Sequence, residues 1–135
     1  MPHPGLSGGC CCGAIRYETD AAPRDQTLCH CTLCRRTSGA PFLAWFTVPR
    51  ASLRILQGAP ARFASTREAT RGFCARCGTQ LFFEHAARPE EVDITTASLD
   101  DPAAVPPKDH TYAGSKLPWV HLGDGLPEYP QERRP

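Results

Sequence analysis

The order of apolar and polar residues in this chain changes period often and holds none for long. Across residues 14–19, Ile15 and Tyr17 alternate with Arg16 and Glu18, the two-residue period of a half-buried strand. Residues 42–48 are apolar and aromatic almost throughout and stop at Pro49, which predicts a buried strand. Shorter runs at 53–56, 61–65, 80–84 and 92–97 predict further strands, separated by Gly58-Ala59-Pro60 and by residues 86–90. Residues 20–25 read as a loop, and residues 31–38 as about one helical turn ended by Gly39 and Pro41. From Leu99 onward, Asp100-Asp101-Pro102, Pro106-Pro107 and Pro118-Trp119 favour an irregular wrapping segment, packed on the body through Tyr112, Leu117 and Trp119. The pattern as a whole predicts a mostly β domain.

Composition supports that reading. The 14 prolines are scattered from Pro2 to Pro135 and interrupt most windows before a long helix can form. At 135 residues the chain fits one domain, long enough to bury on the order of two-thirds of its unfolded surface. Neither a repeat nor a linker divides it. The domain is expected to span residues 1–135, with a core over about 8–130 and flexible ends, the tail after Pro127 being mobile. No apolar stretch approaches the roughly 18 residues of a membrane helix. Residues 1–9 show no basic segment followed by an apolar one, so the expected location is cytoplasmic, with thiols reduced.

A formal net charge of +1 and the absence of a long Lys/Arg run argue against a nucleic-acid binder. If the clustered cysteines are thiolates holding zinc, the balance turns mildly negative. Arg133 and Arg134 then read as a solvated end.

The cysteines change the picture most. Seven of the eight fall in three clusters: Cys10-x-Cys12, Cys29-x-Cys31-x-x-Cys34 and Cys74-x-x-Cys77-Gly78. A disulfide framework would spread its cysteines to staple distant loops, whereas local clusters point to metal, with zinc ahead of an iron–sulfur cluster. In Cys74-x-x-Cys77-Gly78 the spacing brings both sulfurs to one ion, and the glycine permits a tight turn. Cys10 and Cys12, two apart in locally extended chain, point to the same side and supply the other pair, while Cys11 points away as a spare thiol. Four sulfurs close a tetrahedral structural site. Cys29, Cys31 and Cys34 make a second set lacking a fourth cysteine, as in a catalytic zinc site with an open position. The alternative is a structural site completed by His30, His110 or His121, although His30, between two ligands, more naturally points away.

The same residues carry a family resemblance. Gly9-Cys10-x-Cys12-Gly13-x-Ile15-Arg16-Tyr17, Cys29-His30-Cys31-x-x-Cys34-Arg35, Gly72-Phe73-Cys74-x-x-Cys77-Gly78-Thr79, Ser98-Leu99-Asp100-Asp101-Pro102 and Leu117-Pro118-Trp119 follow one another in order. From Gly8 to about Pro130 the chain resembles the glutathione-dependent formaldehyde-activating enzyme family, also called the centromere protein V domain group. That resemblance implies a zinc-binding β-tent fold, of several small coiled antiparallel sheets with short helical turns. It implies two zinc ions, one structural at Cys10, Cys12, Cys74 and Cys77 and one at Cys29, Cys31 and Cys34. It also implies addition of glutathione to formaldehyde, a carbon–sulfur lyase reaction when written in reverse. Cys11 is an extra thiol inside the family's first motif.

On this reading Arg35, Arg36 and Lys116 are candidates to pair with substrate carboxylates, against an equal expectation of surface solubility or compensation of thiolate charge. His110 and Tyr112 are candidates to move protons or close a pocket, with a structural role the alternative for His110. Trp45 and Trp119 are expected in the core or a pocket wall, and Phe42, Trp45 and Phe46 serve either a core or a homodimer face. The competing functions are a non-catalytic zinc-stabilised binding module, a glutathione carrier, and a related reaction on another thiol or aldehyde.

Overall fold

The computed structural model describes residues 4–133 and is built mainly of strands. In chain order they are β1 (Leu6–Gly9), β2 (Arg16–Thr19), β3 (Arg24–Cys29), β4 (Leu43–Pro49), β5 (Leu53–Gln57), β6 (Ala61–Ala64), β7 (Ala69–Phe73), β8 (Gln80–His85), β9 (Glu91–Thr95) and β10 (Asp109–Thr111). One helix, α1 (Thr32–Ser38), joins β3 to β4. A three-stranded sheet has the order β1-β2-β5, and a seven-stranded sheet the order β10-β3-β4-β9-β8-β7-β6. All pairings between these strands are antiparallel except that of β10 with β3.

The alternation read at residues 14–19 appears directly in burial. Ile15, Tyr17 and Thr19 turn inward while Arg16 and Glu18 stay half-exposed. In β4, Trp45 through Val48 are all buried, because the strand lies inside the large sheet with β3 on one side and β9 on the other. The main core joins both sheets: Tyr17 from β2 packs with Phe46, Val48, Leu81, Phe82, Val92 and Ile94. The Tyr17 ring meets Phe82 edge-on at 5.4 Å, and its hydroxyl shares a 2.6 Å hydrogen bond with Ser98. A second cluster of Cys29, Cys34 and Trp45 is flanked by Leu43, Phe83 and Tyr112.

Strands β1, β3, β7 and β10 lie where the pattern predicts none. In β7 a buried charge, Arg71, sits where a hydrophobicity reading looks for an apolar residue. All three residues of β10, Asp109, His110 and Thr111, are polar and buried. Strand β3 begins at Arg24, inside the expected loop, and pairs with β4 through a register shift between Arg24 and Thr27. The helical stretch closes as expected, with Gly39 left-handed at φ 67° and its amide donating to the Arg35 carbonyl.

The C-terminal segment is irregular apart from β10 and short 3-10 turns, but it packs differently from the expectation. Tyr112 reaches the second cluster and Leu117 is half-buried, whereas Trp119 is 65% exposed and so belongs neither to the core nor to a pocket wall. The tail beyond Pro127, expected to be mobile, is held by backbone bonds through residue 131. The His110 amide donates to the Pro127 carbonyl, the Tyr129 amide to His110, and the Tyr112 amide to Gln131. Arg133, expected in solvent, clamps Asp109 through two nitrogens, one at 3.0 Å. Arg134 and the ends at residues 1–3 and 134–135 lie outside the described residues.

Gly8 shows how closely β1 approaches the turn at Ser98 and Leu99. It bridges to Leu99, and a Cβ there would collide with the Ser98 carbonyl and the Tyr17 hydroxyl. Gly8→Ala is expected to destabilise the fold by about 1–3 kcal/mol, read as a lower urea midpoint at unchanged slope.

Candidate metal centres

Two hairpin turns meet to form the first centre. After β1 the chain turns back through Cys10–Gly13: the Gly13 amide donates to the Cys10 carbonyl at 3.1 Å, and Gly13 takes φ 79°. After β7 it turns through Cys74–Gly78, where the Gly78 amide donates to the Cys74 carbonyl at 2.8 Å and Gly78 takes φ 82°. Cys10 and Cys12 therefore converge from a tight turn, not from the extended chain the spacing suggested. The four sulfurs of Cys10, Cys12, Cys74 and Cys77 lie within 4.8 Å of one another. Cys10 to Cys12 is 3.6 Å and Cys12 to Cys74 is 3.8 Å, against the ~3.8 Å separation of sulfurs held tetrahedrally at about 2.3 Å from zinc. Donor set and spacing fit a closed zinc site.

Neighbouring groups favour the thiolate form at Cys10 and Cys77, while Cys12 is pushed up to about 11. The Ile15 amide donates to Cys10 Sγ at 3.2 Å. The Thr79 hydroxyl lies 3.2 Å from Cys77 Sγ and, with nearby amides, lowers that thiol to about 5. Thr79 also accepts from the Cys11 amide, which fixes the turn, while the Cys11 side chain is exposed and outside the sulfur group.

Cys29, Cys31 and Cys34 form the second centre, their sulfurs again within 4.8 Å of one another. Cys29 ends β3, Cys31 caps α1 by accepting from the Cys34 amide at 3.2 Å, and Cys34 faces inward from the first helical turn. Cys34 and Cys29 sulfurs are 3.3 Å apart, and both residues are buried. Hydrogen bonds from Cys29 and Cys34 push the Cys31 thiol down to about 2, so Cys31 carries the thiolate of the set. The same sharing, together with burial, pushes Cys29 up. Three clustered soft donors fit zinc with one position left for something other than these cysteines.

No histidine among the described residues joins that sulfur group. His30 turns away, as its position between two cysteines suggests, and meets Phe42 at a tilt with ring centres 5.0 Å apart. Its Nε2 lies 2.9 Å from His110 Nδ1, and His110 Nε2 lies 2.7 Å from Asp124. Both rings are fully buried, and His121 is exposed.

The three cysteines lie on the wall of a cavity of about 610 Å³. Leu33, Trp45, Phe83 and Tyr112 supply its apolar lining beside the sulfurs. Arg35, Arg36, Lys116 and His110 are not part of that lining, so the structure does not bring them to the space above the cysteines. Tyr112 is part of it: burial and Glu132 push its phenol up to about 12, so it stays protonated and forms wall. The arginines that do line the cavity are Arg24, Arg71, Arg88 and Arg133. Arg24 pairs with Glu91 at 2.9 Å, Arg88 with Glu91 at 3.1 Å, and Arg133 with Asp25 at 3.4 Å. Asp25 and Tyr112 adopt left-handed φ of 53° and 54°, and both line this cavity, where strain commonly gathers.

Arg71 is the residue that sequence reasoning missed. It is only 3% exposed, its NH1 and NH2 lie 3.9 and 3.8 Å from Cys34 Sγ, and its guanidinium stacks on Phe83. The one available signal was an arginine three residues ahead of the Cys74 turn, in a strand too short to show a period.

Comparison with known proteins agrees with this geometry. The sequence profile of a family described as glutathione-dependent formaldehyde-activating enzyme matches residues 5–115. A Halomonas elongata protein provisionally named a glutathione-dependent formaldehyde-activating enzyme is 28% identical over 126 residues, covering 87% of this chain and 80% of that protein. An uncharacterized lyase of Schizosaccharomyces pombe is 32% identical over 82 residues, covering 61% of this chain and 59% of the lyase. A crystal structure of a Rhodobacter sphaeroides protein superposes with a TM-score of 0.60 at 23% identity, covering 91% of this chain and 98% of that one, a likeness of fold.

The two centres should differ under mutation. Cys74→Ser breaks the closed set, and losing roughly 10 kcal/mol or more of metal binding exceeds the margin of most domains, so circular dichroism should show an unfolded chain. Cys29→Ser should leave a folded protein that has lost metal binding at the three-cysteine set alone, read as metal content per chain against wild type.

Proposed function

Because the chain belongs to the glutathione-dependent formaldehyde-activating enzyme family, we propose that it is a zinc-dependent carbon–sulfur lyase of that type, joining a thiol such as glutathione to formaldehyde or another small aldehyde. The observation that carries this reading is the set of three cysteines, without a fourth protein ligand among the described residues, on the wall of a cavity large enough for a small thiol. On this reading Cys10, Cys12, Cys74 and Cys77 hold a structural zinc, Cys29, Cys31 and Cys34 hold a second, and the two sheets form the family's β-tent.

In the reaction, the thiol sulfur bonds to the aldehyde carbon, the carbonyl π pair moves to oxygen, and the thiol proton ends on that oxygen, giving a hemithioacetal. Zinc at the three cysteines would supply positive charge that lowers the cost of negative charge on sulfur or oxygen. The chain's own contribution is placement. Trp45, Phe83 and Tyr112 line the cavity beside the sulfurs and would limit water there. Substrate carboxylates would meet Arg24, Arg88 or Arg133 at the cavity, exchanging with their present acidic partners, in place of Arg35, Arg36 and Lys116. His110, enclosed between His30 and Asp124, would take a structural part. Eight free thiols suit a reducing compartment, and we place the protein in the cytoplasm.

The test is the exchange rate between free glutathione, formaldehyde and their adduct, followed by NMR. Zinc-loaded protein should accelerate exchange above the spontaneous rate, and Cys31→Ser should abolish the acceleration. Glutathione binding without acceleration would replace this reading with that of a carrier; neither binding nor acceleration would leave a zinc-stabilised module.

A further inference from the structure

Arg71 presents a problem of charge that its surroundings answer in an unusual way. A guanidinium taken almost wholly out of water needs a partner able to replace the lost hydration. At the cavity, Arg24, Arg88 and Arg133 meet carboxylates. The polar contacts of Arg71 are instead to sulfur and hydroxyl: NH1 and NH2 lie 3.9 and 3.8 Å from Cys34 Sγ, and NH1 lies 3.4 Å from Thr37 Oγ1. Its Nε is buried without a hydrogen-bond partner. The central carbon of the guanidinium stands over the Phe83 ring, 5.0 Å from its centre.

A neutral thiol is a weak acceptor and would leave this cation poorly compensated. A thiolate would not. Three thiolates around a divalent ion carry one net negative charge, and a single guanidinium cancels it. The four-cysteine centre needs no such cation, because Cys12 and Cys77 are exposed and water with the Thr79 hydroxyl shares the load. At the second centre Cys29 and Cys34 are both buried, so the counter-charge has to come from the protein.

We propose that Arg71 is the charge-balancing and positioning residue of the Cys29, Cys31 and Cys34 centre, its two terminal nitrogens meeting the Cys34 sulfur and setting how tightly that centre retains a divalent metal. The proposal rests on the metal-holding part of the function above and not on the reaction. Outer hydrogen-bonding partners of metal ligands commonly contribute about 10–100-fold in affinity, and Arg71 falls in that class.

Chelator competition on zinc-loaded protein, with both ions followed separately, tests it. Arg71→Gln is expected to weaken the less tightly held zinc by about 10–100-fold and leave the other unchanged, with native circular dichroism. Arg71→Lys, which keeps the charge without the fork, should restore retention to within a few-fold of wild type. Should the glutamine variant not fold, Arg71→Met, which keeps an uncharged stem over Phe83, replaces it. Equal retention in wild type and a folded uncharged variant overturns the role of Arg71. So does loss of both zinc ions and of the fold in the glutamine, methionine and lysine variants alike, which would make Arg71 a packing residue. A wild type that takes up a single zinc overturns the metal reading of the triad itself, and the proposal with it.

Discussion

Convergence of four sulfurs from two hairpin turns is the constraint on which the rest of this structure depends. The β1–β2 turn and the β7–β8 turn belong to different sheets, and Cys10 and Cys12 must reach Cys74 and Cys77 across nearly half the sequence. Neither turn is stable in that shape for its own sake. Each relies on a left-handed glycine, Gly13 or Gly78, to bring amide and sulfur together. Once the sulfurs meet, the small sheet is fixed over the large one, and Tyr17 is delivered into the core against Phe82.

The second sulfur set uses the same element differently. Its cysteines lie within six residues at the junction of β3 and α1, so their proximity is local and asks little of the rest of the fold. What the fold adds is environment: β7 brings Arg71, β4 and β8 bring Trp45 and Phe83, and the tail brings Glu132 and Arg133 to the cavity rim. A closed centre that holds the sheets together and an incomplete one facing a cavity thus occupy separate places.

Strand β10 and the tail illustrate how polar burial supports a site indirectly. Asp109 is clamped by Arg133, and His110 is held between Asp124 and His30. Because His30 lies between Cys29 and Cys31, this chain of rings and carboxylate braces the backbone that carries both cysteines.

Cysteine spacing alone pointed to two sulfur sets of unequal size, and alternation at residues 14–19 and the apolar run at 42–48 located two of the strands. Those signals are local, since ligand spacing and side-chain period are properties of a few consecutive residues. The buried strands with polar or charged residues, β7 and β10, left no such trace. Nor did the choice among cations: Arg35 and Arg36 adjoin Cys34 in sequence yet are not on the cavity wall, while Arg71, 37 positions away, meets its sulfur. The sequence determined which atoms are able to hold metal. Only the tertiary structure decided which charges surround them, because a buried charge takes its partner through space and a β-sheet brings together residues that sequence order keeps apart.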